Sequence, residues 1–339
     1  MRILWLRPSK GDHISVRRER IASYLIAEGY EVTIRDASWF DAPGAIWEAL
    51  TGEYDIIAGN VRMGLFIGYP IARLRGLPIL GDVSDPISDI DYIPWPLRPL
   101  FEWLEWRFLA RADAAVFVYE SSFDEAKKRG IDGVRLPNVV DHDAFAKPEQ
   151  DVIDEAADIL NAAGVSLDKP VAIYLGGFSH SYHIVDIIES AREATDWQFV
   201  FVGEGKLVAE VREGAASLDN VYYPGAFAYE LMPGFLAHAD VGFCFKDAEQ
   251  PLKLKEYAAA GIPVIAQPGE LSRWYADNEL VFTPPTPEAI CETLETLRDD
   301  STRQAYVEAL TESLDQRTWA DIASSYHHIF ETIATTEER

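Results

Sequence analysis

Cysteine is nearly absent from this 339-residue chain. Its two residues, Cys244 and Cys291, are too few and too far apart for a disulfide framework or a thiolate metal centre, so both read as small core residues. Lysine is also scarce, with nine against 21 arginines, and carboxylates dominate: 56 acidic against 30 basic residues give a formal net charge of −26. A basic footprint for nucleic acid is therefore missing. Long apolar runs are missing too. No segment approaches the roughly 18 uninterrupted apolar residues of a membrane span, and the run in MRILWLRPSKGD is too short for a signal peptide. A soluble, cytoplasmic protein is expected. No G-x-G-x-x-G follows a strand, since Gly203-Glu204-Gly205 is followed by Lys206-Leu207-Val208, and this disfavours a dinucleotide dehydrogenase. Internal repeats and low-complexity tracts are absent.

What is present suits two packed domains. Apolar residues make up 48% and aromatics 12%, enough for two cores and too much for a disordered acidic chain. High carboxylate with little lysine is the balance of proteins from salt-loving archaea, where screening makes self-repulsion tolerable; an ordinary acidic cytosolic enzyme is the other reading. Short apolar runs (Ile3–Leu6, Glu31–Ile34, Asp55–Ala58, Ala114–Tyr119) alternate with helical periodicity, which indicates βαβ units and a parallel sheet. A second such series starts at Val171–Leu175 and continues through Trp197–Val202, Val221–Tyr223 and Val241–Phe245. Amphipathic helices over Pro287–Leu297, Thr302–Leu314 and Trp319–Ile333 close the chain.

One stretch concentrates chemistry. In PLKLKEYAAAGIPVIA (Pro251–Ala266), Pro251 suits a first helical turn, Gly261 a helix stop, and Val264–Ala266 a buried strand. Lys253, Lys255 and Glu256 sit where the helix begins. A helix start at the carboxyl end of a parallel strand is where an α/β sheet holds phosphate and ribose.

Five segments together resemble the B-type glycosyltransferases, specifically the retaining, nucleotide-sugar-dependent family 4. They are ARADAAVFVYESSFDEAKKRG (110–130), LPNVVDHDAF (136–145), VFVGEGK (200–206), VYYPGAFAYELMPGFLAHADVGFCF (221–245) and PLKLKEYAAAGIPVIA. The resemblance spans nearly the whole chain. It implies an α/β fold of two Rossmann-like domains facing across a cleft, the GT-B fold: an acceptor domain over 1–148, a nucleotide-sugar domain over 149–315, and a C-terminal helix over 316–339 crossing back to the first.

The implied donor site draws on Leu252 and Lys253, whose helix-start amides and ammonium would hold the diphosphate. Glu256 would accept the two ribose hydroxyls; the alternative makes it and Lys253 a solvated helix-start pair. Gly203 and Gly205 offer close backbone approach at a strand end, or else an ordinary turn. Phe227 joins the donor set.

Two departures stand out. The family's two glutamates lie eight positions apart, and here the earlier position is Ala248; Glu249 beside it is the substitute. The arginine and lysine that usually follow the first strand of the donor domain, and stabilise the leaving diphosphate, are replaced by GGFSHSYH (176–183). There Gly177, Ser179, His180, Ser181 and His183 are the candidates to substitute for them.

On the acceptor side, the loop with Lys10, Gly11 and Asp12 and the loop with Asp82 and Asp85 should face the cleft. Their carboxylates would orient a hydroxyl or take its proton, although Asp, Ser and Pro also serve simple turns. The catalytic candidates are thus Asp82, Asp85, His180 and Glu249. No metal site is expected, because no Asp-x-Asp follows a strand in the donor half, and no cofactor beyond the nucleotide-sugar co-substrate.

The aromatic stretch 92–109 (YIPWPLRPLFEWLEWRFL) fits either a helix packed on the first domain or a peripheral contact with the inner face of the cell membrane. The expected function is transfer of a sugar from a nucleoside diphosphate sugar to an acceptor hydroxyl on a glycan, a lipid-linked glycan or a small molecule, with retention implied by the resemblance. The alternatives are a catalytically impaired nucleotide-sugar-binding subunit and a GT-B-fold nucleotide-sugar epimerase or phosphorylase.

Overall fold

A computed structural model describes the chain except residues 8–15, 39, 61, 85–92, 250, 315 and 337–339. It divides into two compact units, Met1–Asn138 with Arg317–Arg339, and Val139–Gln316. The second unit thus begins earlier than the expected 149, because Val140 and Phe145 are buried in its core.

The first unit runs β1 (Arg2–Arg7), α1 (Val16–Ala27), β2 (Glu31–Asp36), α2 (Ala42–Thr51), β3 (Ile56–Asn60), α3 (Met63–Arg75), β4 (Ile79–Val83), α4 (Arg98–Leu109), β5 (Ala114–Phe117), α5 (Glu120–Lys128) and β6 (Val134–Arg135). The strands form a parallel sheet in the order β2-β1-β3-β4-β5-β6. β3 and β4 are buried along their whole length, as strands covered on both faces must be, which is why their sequences show no alternation and their polar residues, Asn60 and Asp82, are buried as well. Close helix packing sets one glycine. A Cβ on Gly64 of α3 would lie 2.3 Å from the Leu6 carbonyl oxygen of β1. The helix α2 was not foreseen from the sequence; Pro43 and Gly44 at its start hide the helical signal.

In the second unit come α6 (His142–Ala146), α7 (Gln150–Ala162), β7 (Val171–Leu175), α8 (Ile184–Ser190), β8 (Gln198–Val202), α9 (Val208–Ser217), β9 (Val221–Gly225), α10 (Met232–Leu236), β10 (Val241–Cys244), α11 (Leu252–Ala259), β11 (Val264–Ala266), β12 (Val281–Phe282), α12 (Pro287–Thr296) and α13 (Asp300–Ser313). Its parallel sheet has the order β12-β11-β10-β7-β8-β9. The period of two along β7 and β8 divides two cores. Val171, Ile173, Leu175, Val200 and Val202 face one layer, and Ala172, Tyr174, Phe199 and Phe201 the other.

The last helix, α14 (Trp319–Thr336), belongs to the first unit. It packs against α1, and the Trp5 ring meets Tyr326 at 5.3 Å and Phe330 at 6.4 Å between centroids. Two Rossmann-like units of this kind make the GT-B fold. In α4, Trp106 and Leu109 are buried whereas Leu100 and Trp103 are exposed, so the aromatic stretch serves the core with one face only. Among the described residues no helix is long and apolar enough to cross a membrane.

Candidate functional site

The strand order of the second unit reverses between β7 and β10, which are neighbours although three segments of chain separate them. From β7 the chain steps outward to β8 and β9, then returns past β7 to β10, β11 and β12. In open α/β sheets such a switch point leaves a crevice outside the carboxyl ends of the two strands, and ligands bind there. The loops that border it are GGFSHSYH after β7 and FKDAEQP after β10, the latter leading into α11.

The sequence of α11 fixes it against β7. Tyr257 is fully buried and its hydroxyl oxygen accepts the Leu175 amide N–H at 2.9 Å, at the last residue of β7. Its ring lies on Gly242 of β10, where any Cβ would approach it to 2.5 Å. The helix N-terminus is thereby held at the crevice. Pro251 occupies the cap position in an extended conformation, and no side chain caps the first turn. The amides at that end leave a positive partial charge.

Lys253, in this turn, is the centre of the site. Its ammonium lies 3.7 Å from the centroid of the Tyr174 ring and 4.3 Å from that of Tyr182. It is buried and has no hydrogen-bond partner among the described residues. A Cβ on Gly176 would stand 3.3 Å from it, and Gly176 has φ +121°, a conformation that favours glycine. Burial lowers the ammonium to about 8, against the opposing pull of Cys244 and Glu256. A second cation is close by: the Lys246 ammonium lies 5.4 Å from the same Tyr182 ring. Two ammonium groups near one aromatic ring, one without a hydrogen-bond partner among the described residues, suit a polyanion.

Glu256 is one turn further along and buried. Its Oε1 accepts the Tyr229 hydroxyl at 2.8 Å. Burial pushes this carboxyl up to about 7, while the Tyr229 bond and Lys253 pull it down. Lys253 and Glu256 are therefore not the solvated pair that the bland reading of the sequence describes.

Around them the loop after β7 is held by its own bonds. The Tyr174 hydroxyl donates to the Gly177 carbonyl at 2.7 Å, and Ser179 and Ser181 hydroxyls pair at 2.9 Å. His180 is exposed. His183 adopts φ 54° at the start of α8, with Nδ1 3.0 Å from Asp186. Leu252 and Phe227 are half-buried, the latter 5.3 Å from the Phe235 ring. Glu249 is buried in the loop ahead of α11.

For Gly203 and Gly205 the sequence left two readings, close approach of a base or ribose, or an ordinary turn. A Cβ on Gly203 would lie 2.0 Å from the Gly176 oxygen, and one on Gly205 would lie 2.4 Å from the Phe178 oxygen. Both glycines therefore let the loops after β7 and β8 lie against each other, joined by the Phe178–Gly205 bridge. Their service to the crevice is indirect, through the shape of its wall.

Asp82 needs a correction. It was expected in an open loop, and it lies inside β4, fully buried. Its Oδ1 accepts the Tyr326 hydroxyl at 3.0 Å and its Oδ2 the Asn60 amide at 3.2 Å. Arg17 donates to the Tyr326 oxygen at 3.3 Å and to the carbonyls of Leu136 and Pro137, both at 2.9 Å. This is an internal network of the first unit. Asp85, Lys10, Gly11 and Asp12 lie outside the described residues. Sequence reasoning missed Tyr174, Tyr182, Tyr229 and Lys246. The only signal for Tyr174 was an aromatic at the end of a strand, VAIYL, which reads equally as core.

Comparison with known proteins gives a family match and a likeness of fold. Residues 169–300 match the family model described as Glycosyl transferases group 1. A search of curated proteins gives no sequence match. Among solved structures, the chain is similar to Anabaena HepE in complex with UDP and glucose, at 16% identity over 99% of this chain and 100% of that one, with a TM-score of 0.76. It is similar to sucrose-phosphate synthase from Thermosynechococcus elongatus at 16% identity over 99% and 100%, TM-score 0.73. It is also similar to an α,α-trehalose-phosphate synthase (UDP-forming) from Burkholderia vietnamiensis at 13% identity over 99% of both chains, TM-score 0.67. The likeness in structure gives the fold, and the family match falls on the unit that holds Lys253 and Glu256. Together they support a glycosyltransferase.

Proposed function

We propose that this protein transfers a sugar, with retention of anomeric configuration, from a nucleoside diphosphate sugar to an acceptor hydroxyl on a glycan or lipid-linked glycan. The observation that carries the reading is the buried Lys253 ammonium, without a hydrogen-bond partner among the described residues, at the switch point between β7 and β10. A diphosphate there receives the Lys253 and Lys246 charges and the first-turn amides of α11. When the bond from the sugar carbon to the diphosphate breaks, negative charge grows on the leaving oxygen, and fixed donors at that position stabilise it. These two lysines stand in for the basic pair that GGFSHSYH lacks. Glu256 accepts the ribose hydroxyls, exchanging the Tyr229 hydroxyl for them. Glu249, His180, His183 and Ser179 border the sugar. The acceptor is taken by the first unit, with Asp85 and the loop of Lys10, Gly11 and Asp12 as its polar contacts. No metal or further cofactor takes part.

The UDP in the HepE complexes makes UDP the first nucleotide to try. High carboxylate content supports a halophilic origin and assays at high salt, and a cytoplasmic location fits a nucleotide-sugar co-substrate. The test is calorimetry with nucleoside diphosphates, followed by turnover of nucleotide-sugars without acceptor. Binding together with slow donor hydrolysis is expected. No binding of any nucleoside diphosphate rejects the proposal. The second reading, a binding-only subunit, is favoured by the absence of arginine and lysine from GGFSHSYH; tight binding with no turnover in any acceptor screen would select it.

A further inference from the structure

The apolar surface of the first unit is concentrated in one layer of helices. α3 packs against α2 and against α4, whereas α1 packs against α14. Among the described residues sixteen large hydrophobic side chains are exposed, and nine of them come from residues 40–103. They include Trp47, Trp95 and Trp103, three of the four exposed tryptophans, with Ile46 and Leu50 of α2, Leu74 of α3 and Leu100 of α4. On α4, Leu100, Trp103 and Arg107 recur at spacings of three and four and share a face, while Glu105, Trp106 and Leu109 are buried. The Arg107 guanidinium lies over the Trp103 ring, 5.3 Å from its centroid.

Charge is distributed just as unevenly. The helices α2, α3 and α4 carry three carboxylates (Glu48, Glu102, Glu105) and four arginines (Arg73, Arg75, Arg98, Arg107), so 4 − 3 = +1, in a chain whose net charge is −26. Each of those carboxylates is engaged. Glu48 accepts the Tyr54 hydroxyl at 2.5 Å, Glu102 faces Arg129 at 3.9 Å, and buried Glu105 accepts the Arg62 amide at 2.8 Å. Elsewhere the surface is strongly acidic.

We propose that the α2–α3–α4 face of the first unit docks on the surface of an anionic lipid bilayer. Tryptophan and leucine on a rigid helical layer enter the boundary between headgroups and acyl chains. Arg107, over the Trp103 ring, extends to lipid phosphates with its stem along the apolar surface, whereas Arg73 is paired with Asp113 at 3.2 Å and Arg75 donates to the Ala49 carbonyl at 2.7 Å. Each basic residue near such a surface is worth about fivefold in affinity. A net charge of −26 repels an anionic membrane, so a face whose three helical carboxylates are all engaged also sets the orientation of approach.

The test is co-sedimentation of the full chain with phosphatidylglycerol vesicles and with phosphatidylcholine vesicles, at a salt concentration where circular dichroism shows the chain folded. The chain should pellet with phosphatidylglycerol, several-fold less with phosphatidylcholine, and less as salt rises. Leu100→Ser combined with Trp103→Ser should cut the bound fraction about tenfold, and Arg107→Glu at least about fivefold. Tyr24→Ser on α1 should leave binding unchanged. A chain that stays in the supernatant at every lipid ratio overturns the proposal, as does undiminished pelleting of the double variant. So does a dimer in sedimentation velocity that the double substitution converts to monomer, which would make the face a contact between two copies.

Discussion

The Lys253 ammonium lies 3.7 Å from the centroid of the Tyr174 ring. Two elements far apart in sequence meet there, the first turn of α11 and the carboxyl end of β7. The ring faces supply an electrostatic resting place but no acceptor oxygen, so the cation is parked and not neutralised. A buried charge kept in that condition weakens the fold, and a bound anion would relieve the cost.

Replacing Lys253 should therefore separate stability from binding. The ammonium is lowered from 10.5 to about 8, so at neutral pH its protonated form disfavours folding by on the order of 3 kcal/mol. Lys253→Met should raise the ligand-free melting temperature by a few degrees. It should also weaken nucleoside diphosphate binding by about 10- to 100-fold. Scanning calorimetry and titration calorimetry on one preparation read both. A lower melting temperature with unchanged affinity would reduce Lys253 to a packing residue.

The pH dependence follows from the same pair. Between about 8 and the ordinary lysine value of 10.5 the unfolded chain holds more protons than the folded one, so the Lys253 contribution to stability rises with pH there. Glu256 is raised from 4.5 to about 7, so between those values the folded chain holds the extra proton and its contribution falls as pH rises. Ribose hydroxyls need the ionised carboxylate and the diphosphate needs the ammonium. Affinity should then trace a bell with limbs near 7 and 8, set by the coupled pair. Glu256→Gln should flatten the acid limb and Lys253→Met the alkaline one. A profile identical in both variants would disconnect the pair from the ligand. Glu256→Ala should lose most of the nucleotide affinity.

Local signals made much of this site legible. Pro251 and Gly261 bracket α11 (Gly261 has φ +72°), and Val264–Ala266 is a strand as its composition implies. Parallel-sheet architecture was legible for the same reason, since buried strands read as apolar runs. Long-range partnerships were not. Nothing near Asp82 in sequence reveals a hydrogen bond from residue 326, and turn composition suggested an open loop where β4 continues. Likewise GGFSHSYH shows what that loop lacks, while Lys246 and Lys253 come from across the switch point, which only the strand order reveals.

The glycines of the crevice wall should divide by what surrounds them. A Cβ on Gly177 meets only the Glu204 oxygen, at 4.0 Å, so Gly177→Ala should leave the melting temperature within about a degree. Gly205 has φ +154° and backbone atoms of Phe178 within 2.5 Å of a would-be Cβ. Gly205→Ala should cost about 2 kcal/mol or more through strain and forced separation of the two loops. Denaturant titration of the two variants side by side measures the difference. Equal stability would show that the loops are free to part.

Within the first unit, Tyr326 and Asp82 define the last expectation. The Tyr326 hydroxyl donates to the Asp82 carboxylate at 3.0 Å while accepting from Arg17 at 3.3 Å, all three side chains being buried. Tyr326→Phe preserves the ring that stacks near Trp5 and removes only the hydroxyl. It leaves a buried carboxylate oxygen one donor short, a cost of about 1–3 kcal/mol. Asp82→Asn should also lower the melting temperature, because its amide nitrogen cannot accept both bonds. Neither substitution should change nucleoside diphosphate affinity, since the residues proposed to hold the diphosphate belong to the second unit. If Asp82 acts on an acceptor hydroxyl instead, Asp82→Asn will abolish sugar transfer at an unmoved melting temperature, and Tyr326→Phe will not.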